Sequence, residues 1–157
     1  MRNPTHSDAQ RGFTLVELMV VVSIVAVILG TVAPSFRAFL QGQQTKGLAF
    51  DLTNDLLLAR SEALKRNTSV SVTRSADGWN KGWTTAVGGV TIGTRNPAAL
   101  TVDVTGAPVA TAITFDVNGR VSAPTTAVRI TVSAGSSSRC VQLDPSGRAR
   151  SLLGACT

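Results

Sequence analysis

Tyrosine is absent from this chain of 157 residues, and its aromatics stop at five phenylalanines and two tryptophans. None of them follows Phe115, so the C-terminal stretch offers no ring on which a nucleic-acid base could stack. Histidine occurs once, as His6, and cysteine twice, as Cys140 and Cys156. That is a thin supply for a His/Cys metal cluster or a histidine-activated nucleophile. There is no GxxxxGK[ST] and no GxGxxG, which removes two common phosphate-cradling loops. Acids are scarce as well: nine Asp and Glu stand against fifteen Lys and Arg, a net charge of +6. A basic balance suits anionic partners such as nucleic acid, lipid headgroups or acidic proteins, although the same charge also serves solubility. The last absence is local. From Leu18 to Phe36, 19 residues pass without a charge.

That run begins LMVVVSIVAVILGTVA and is apolar on all sides, so it does not read as an amphipathic surface helix. Nineteen helical residues span about 28 Å, close to the hydrocarbon core of a bilayer. A secretory signal would have a shorter apolar stretch and a small-residue cleavage site after it. Here the polar segment MRNPTHSDAQRG comes first and nothing like A-x-A follows, which predicts that the apolar segment is retained. Arg2 and Arg11 precede it and place that end in the cytoplasm. The bulk of the chain then lies outside, in an oxidising compartment. Of the two states open to Cys140 and Cys156, reduced thiols or one disulfide, export favours the disulfide.

GFTLVEL (12–18) ends the charged leader at Gly12, follows it with Phe13, and sets Glu17 at the edge of the apolar run, with Pro34 near its far end. This order resembles the prepilin signature of type IV pilins and type II secretion pseudopilins. The resemblance implies cleavage between Gly12 and Phe13 by a prepilin peptidase, and N-methylation of Phe13. It also implies a role for the lone acid, which is costly in lipid without a partner. In pilin-like proteins this glutamate meets the N-terminal amine of a neighbouring subunit during assembly, and Glu17 matches it. Pro34 removes one helical hydrogen bond and should kink or loosen the helix.

Beyond Gly42 the pattern turns amphipathic. Leu48, Leu52, Leu56, Ala59 and Ala63 recur at spacings of three and four, which predicts a helix ending near Asn67 with this stripe toward a core. Asp51, Asp55, Glu62 and Arg66 lie off the stripe, and Glu62 and Arg66 form a favourable i,i+4 pair. From Ser69 the period becomes two. Strands are predicted over 69–73, 84–92, 100–104, 112–116, 127–133, 140–144 and 148–153. Turn signals separate them at Asp77-Gly78, Asn96-Pro97, Asn118-Gly119 and Pro145-Ser146-Gly147. The fold class is α+β: a long N-terminal helix, its first half spanning a membrane, packed against an antiparallel sheet. Trp79 and Trp83, in GWNKGW, are expected to cover an end of that sheet. An internal echo, FDVNGR (115–120) and LDPSGR (143–148), reads as two turns in which Gly takes a positive φ and Asp caps.

The helix piece FDLTNDLLLARSEALKRN, the GWNKGW stretch and the two late Gly-Arg turns together resemble FimT/GspH-like minor pilins and pseudopilins. The resulting domain expectation is a leader over 1–12, a transmembrane and assembly helix over 13–40, and a periplasmic or extracellular globular domain over 41–157. Loss of the leader would remove His6, and a disulfide would occupy both cysteines. No histidine base, metal cluster or cofactor site is then expected, and no enzymatic activity.

The tail carries the remaining signal. From Gly119 to Thr157 there are five arginines, Arg120, Arg129, Arg139, Arg148 and Arg150, against a single acid, Asp144. In a strand, residues i and i+2 share a face, so Arg148 and Arg150 should project together after the Gly147 turn. A Cys140–Cys156 bond would stiffen that hairpin into a fork suited to phosphate oxygens. The family resemblance adds that a C-terminal Gly-Arg-x-Arg goes with DNA binding in minor pilins of transformable bacteria, and Gly147, Arg148, Ala149 and Arg150 match it. The expected partner is double-stranded DNA, held by its phosphates without sequence preference, with Arg120, Arg139, Lys65 or Arg66 assisting. Two other readings share the signature: a type II secretion pseudopilin, and a structural minor pilin that primes assembly with its arginines on neighbouring pilins.

Overall fold

The computed structural model describes residues 13–96, 103–105 and 111–157, with side chains undescribed at 31–34 and 103–105. The leader with Gly12, the side chain of Pro34, the Asn96-Pro97 turn beyond Asn96 and the strand expected at 100–102 therefore lie outside the described residues. The chain divides into two units, Met1–Arg37 and Ala38–Thr157.

One backbone element, α1 (Leu15–Arg66), enters both units. Its start in the first unit is capped by Thr14: the Glu17 N–H donates to Thr14 Oγ1 at 3.2 Å and the Leu18 N–H to the Thr14 carbonyl at 3.2 Å. Thr14 and Glu17 thus have capping-box spacing, a local role for TLVE beside the one that the prepilin resemblance implies for Glu17. Every described side chain from Phe13 to Gly30 is exposed. Among the described residues no single helix is long and apolar enough to cross a membrane. Leu15–Gly30 with Ser35–Arg66, taken as a broken span, meets that requirement by length and composition.

In the second unit the expected stripe is the core. Leu48, Leu52, Leu56, Ala59 and Ala63 are all buried, joined by Ala49. Thr45 and Thr53 lie buried on the same side with their hydroxyls satisfied, donating to the carbonyls of Gln41 at 2.9 Å and Ala49 at 2.7 Å. The helix ends as predicted. Asn67 takes a φ of 50° and the Thr68 N–H returns to the Ala63 carbonyl at 3.3 Å, the bond of a left-handed C-terminal cap.

Two antiparallel sheets follow, where one was expected. The first has the order β3-β2-β1-β5-β6 and is built from β1 (Val70–Ser75), β2 (Gly78–Val87), β3 (Val90–Arg95), β5 (Ala112–Phe115) and β6 (Val121–Ala123). The second, β4-β7-β8-β9, comprises β4 (Asp103–Thr105), β7 (Val128–Ala134), β8 (Ser137–Leu143) and β9 (Ala149–Leu153). The expected strand over 84–92 is instead a hairpin. Gly88 and Gly89 take φ of 54° and 84°, the pair of left-handed residues a tight turn needs, and Val87 pairs with Val90. The length of β2 also corrects the reading of GWNKGW. Trp79 and Trp83 sit within the strand and are buried in the core rather than capping an edge. The Trp83 indole N–H donates to Asp55 Oδ2 at 2.8 Å, and Arg95 on β3 grips the same carboxylate at 3.0 and 3.1 Å. Asp55 thereby ties the β2–β3 hairpin to the helix.

Candidate nucleic-acid interface

The two echoing turns have the same construction. In each, the Asp N–H donates to the carbonyl of the Arg four residues on, from Asp116 to Arg120 at 2.8 Å and from Asp144 to Arg148 at 3.1 Å. In each, the Gly N–H returns to the Asp carbonyl, Gly119 at 2.9 Å and Gly147 at 2.8 Å. Asp116 adds its side chain, with Oδ1 accepting from the N–H of Asn118 and of Arg120, both at 2.9 Å.

The turns belong to different sheets, yet they touch. The Val121 N–H donates to the Pro145 carbonyl at 3.0 Å, and the Cα of Gly147 lies so close to the Gly119 carbonyl oxygen that a Cβ would collide with it. Gly147, at φ 82°, is therefore a position where the backbone needs glycine twice over. It is buried, and it shapes the backbone of the turn from which Arg148 projects. Beneath both turns lies Arg60 of α1, whose Nε sits 3.1 Å from where a Gly147 Cβ would stand and is buried without a hydrogen-bond partner. Arg60 was not singled out by the sequence, since nothing in its spacing announces a place under two distant turns.

Contact between the turns sets Arg120 and Arg148 at equivalent positions of two abutting loops, both exposed. Further along β9, Arg150 pairs with Gln142 of β8, which pairs with Arg129 of β7. Residues paired across neighbouring strands share a face, so Arg129, Gln142 and Arg150 form one row on the outer face of the second sheet. Arg129 and Arg150 are exposed. Alternation assigns Arg148, one residue before β9 and two from Arg150, to the same side. None of Arg120, Arg129, Arg148 and Arg150 makes an ion pair among the described residues.

Arg139 does not join them. It pairs with Val132, one of the buried residues of β7, and so lies on the core side of the sheet, with its guanidinium 5.5 Å from the centre of the Phe50 ring on α1. Its neighbour Cys140 takes the outer face and bonds to Cys156. After β9 the tail turns back, with the Gly154 N–H on the Ser138 carbonyl at 3.1 Å and the Cys156 N–H on Thr131 Oγ1 at 3.0 Å. The disulfide thus pins the tail across β8 and β7. Lys65 and Arg66 end the helix, where Arg66 is engaged with Glu62. Among the described residues no group of three or more His, Cys, Asp or Glu could hold a metal ion.

Residues 48–147 match the family described as type II transport protein GspH, and residues 7–33 match the prokaryotic N-terminal methylation motif. The chain belongs to the GspH family, the FimT/GspH-like branch of minor pilins and pseudopilins. Two crystal structures of the Pseudomonas aeruginosa type IV minor pilin FimU resemble it in fold, both at 22% identity. One gives a TM-score of 0.59 with 68% of this chain and 91% of FimU covered; the other gives 0.62 with 74% and 92%. No curated protein sequence matches.

Proposed function

We propose that this chain is a minor type IV pilin that captures double-stranded DNA for uptake in natural transformation. The observation that carries the reading is the meeting of the two Asp-x-x-Gly-Arg turns. It gathers Arg120 and Arg148 from separate sheets beside the outer row of Arg129 and Arg150. Unpaired guanidinium groups on a backbone held by hydrogen bonds and a disulfide are suited to phosphate oxygens. No aromatic accompanies them, so binding runs along the backbone, in the ~10⁻⁴–10⁻⁶ M range of non-specific contacts. Several subunits in one fibre raise the avidity.

On this reading a prepilin peptidase cuts after Gly12 and Phe13 is methylated. The chain crosses the inner membrane once with its globular part in the periplasm, and Glu17 meets a neighbouring pilin during assembly. The protein carries out no catalysis of its own.

The test is DNA affinity of the Ala38–Thr157 unit in its oxidised form, measured by NMR titration or mobility shift at two salt concentrations. Arg148→Ala/Arg150→Ala is expected to weaken binding at least about tenfold and to lower the salt slope by about two. Arg139→Ala, on the other face, should leave both nearly unchanged. Absence of binding by the folded wild-type unit would sink the proposal. The family's description as a type II transport protein supports a second reading, a secretion pseudopilin whose arginines meet acidic subunits. Loss of secretion in the double variant, with no DNA affinity in the wild type, would select it.

A further inference from the structure

The place that Arg139 takes is itself a candidate site. The first turns of the helix in the second unit and the β7–β8 turn border an open pocket of about 430 Å³. It is closely built: a side chain at Gly42 would meet Ser137 Oγ at 3.3 Å, and one at Gly135 would collide with the Gln41 amide. Its wall carries Lys46, Arg139 and three consecutive serines, Ser136, Ser137 and Ser138, and no carboxylate. Both cations lie over the Phe50 ring, the Lys46 ammonium at 6.0 Å and the Arg139 guanidinium at 5.5 Å. Neither has an acidic partner among the described residues. Two exposed apolar side chains stand beside them, Leu153 at 82% and Phe50 at 43% of full exposure.

Two unpaired cations with hydroxyl donors in one concave place recognise a tetrahedral oxyanion, phosphate above all. Exposed leucine and phenylalanine beside basic residues is the composition of a surface that meets a lipid interface. Position 46 follows Phe36, the last residue of the uncharged run, by ten residues in the chain. We infer that this pocket binds the phosphate of an anionic phospholipid headgroup while the chain is still in the membrane, before it enters a fibre. The inference rests on the membrane anchoring of the family and is independent of DNA capture by the opposite face.

The test uses the full chain in lipid nanodiscs, followed by hydrogen–deuterium exchange. With phosphatidylglycerol discs the amides of 42–50 and 136–140 are expected to exchange up to about thirtyfold more slowly than with phosphatidylcholine discs, the scale set by two basic groups at an anionic surface. Lys46→Gln/Arg139→Gln should abolish the difference, while Arg148→Ala/Arg150→Ala should keep it. Unchanged protection of β1 and β5 in the same spectra shows that the fold is intact. Equal exchange in both lipids, or a difference that survives in the Lys46/Arg139 variant, overturns the inference. So does the same local protection in phosphatidylcholine discs on adding inorganic phosphate or duplex DNA, which would assign the pocket to a soluble anion or to nucleic acid.

Discussion

At the residue scale, glycines and charges behave differently in the turns. Gly147→Ala adds a left-handed φ cost of about 1 kcal/mol to a collision with the Gly119 carbonyl, and is expected to destabilise the second unit by at least ~3 kcal/mol. Gly154 shares a positive φ of 89° but has open space around it, so Gly154→Ala should cost only about 1 kcal/mol. Thermal melts of the two variants give the comparison, and equal losses would contradict the contact between the turns. Glu62 makes a pH-dependent statement. Its carboxyl is held below its ordinary value of 4.5, first by the hydrogen bond from Arg66 and further by the charges of Arg66 and Lys65, against an opposing effect of desolvation. A carboxyl that titrates lower when folded stabilises above its unfolded value and loses that contribution as pH falls through the folded one. The Tm difference between wild type and Glu62→Gln should accordingly shrink as pH drops below about 4.5. The helix stripe and its end near Asn67 were legible residue by residue, because a period of 3.6 and a helix stop are local signals. The place of Arg60 was not, because it depends on two turns far away in the chain.

At the scale of elements, the disulfide joins β8 to the returning tail over a separation of 16 residues. Cys140→Ser/Cys156→Ser is expected to cost about 3 kcal/mol on the loop-entropy estimate. The amides of Gly154 and Cys156 should lose exchange protection first, since their acceptors on Ser138 and Thr131 hold only the tail. The alternating strands of the second sheet and the turns at Asn118-Gly119 and Pro145–Gly147 could be read directly. The division into two sheets could not, because it is decided by which strands pair and not by what any one strand contains. The β2–β3 hairpin was missed for a nearer reason: TTAVGGVTI keeps its alternation on both sides of Gly88-Gly89, so the period hides the turn. Arg139 illustrates the same limit. Its charge groups it with Arg148 and Arg150, but the register of β8 against β7 sends it to the other side.

At the scale of the whole molecule, the proposed maturation has a direct readout. Mass spectrometry of the protein from its own cell membranes should find an N-terminal peptide beginning at Phe13 and carrying one added methyl group. A peptide that retains Gly12 would contradict the processing. The contact between Gly119 and Gly147 also reaches beyond stability. Two glycines determine where the tips of both sheets stand, while the residues that follow them, Arg120 and Arg148, lend their backbone to the turns and leave their side chains exposed, without an ion pair among the described residues. If those arginines hold phosphates as proposed, binding is detachable from folding: exchanging them for acids or neutral residues should keep the scaffold and remove its hold on DNA.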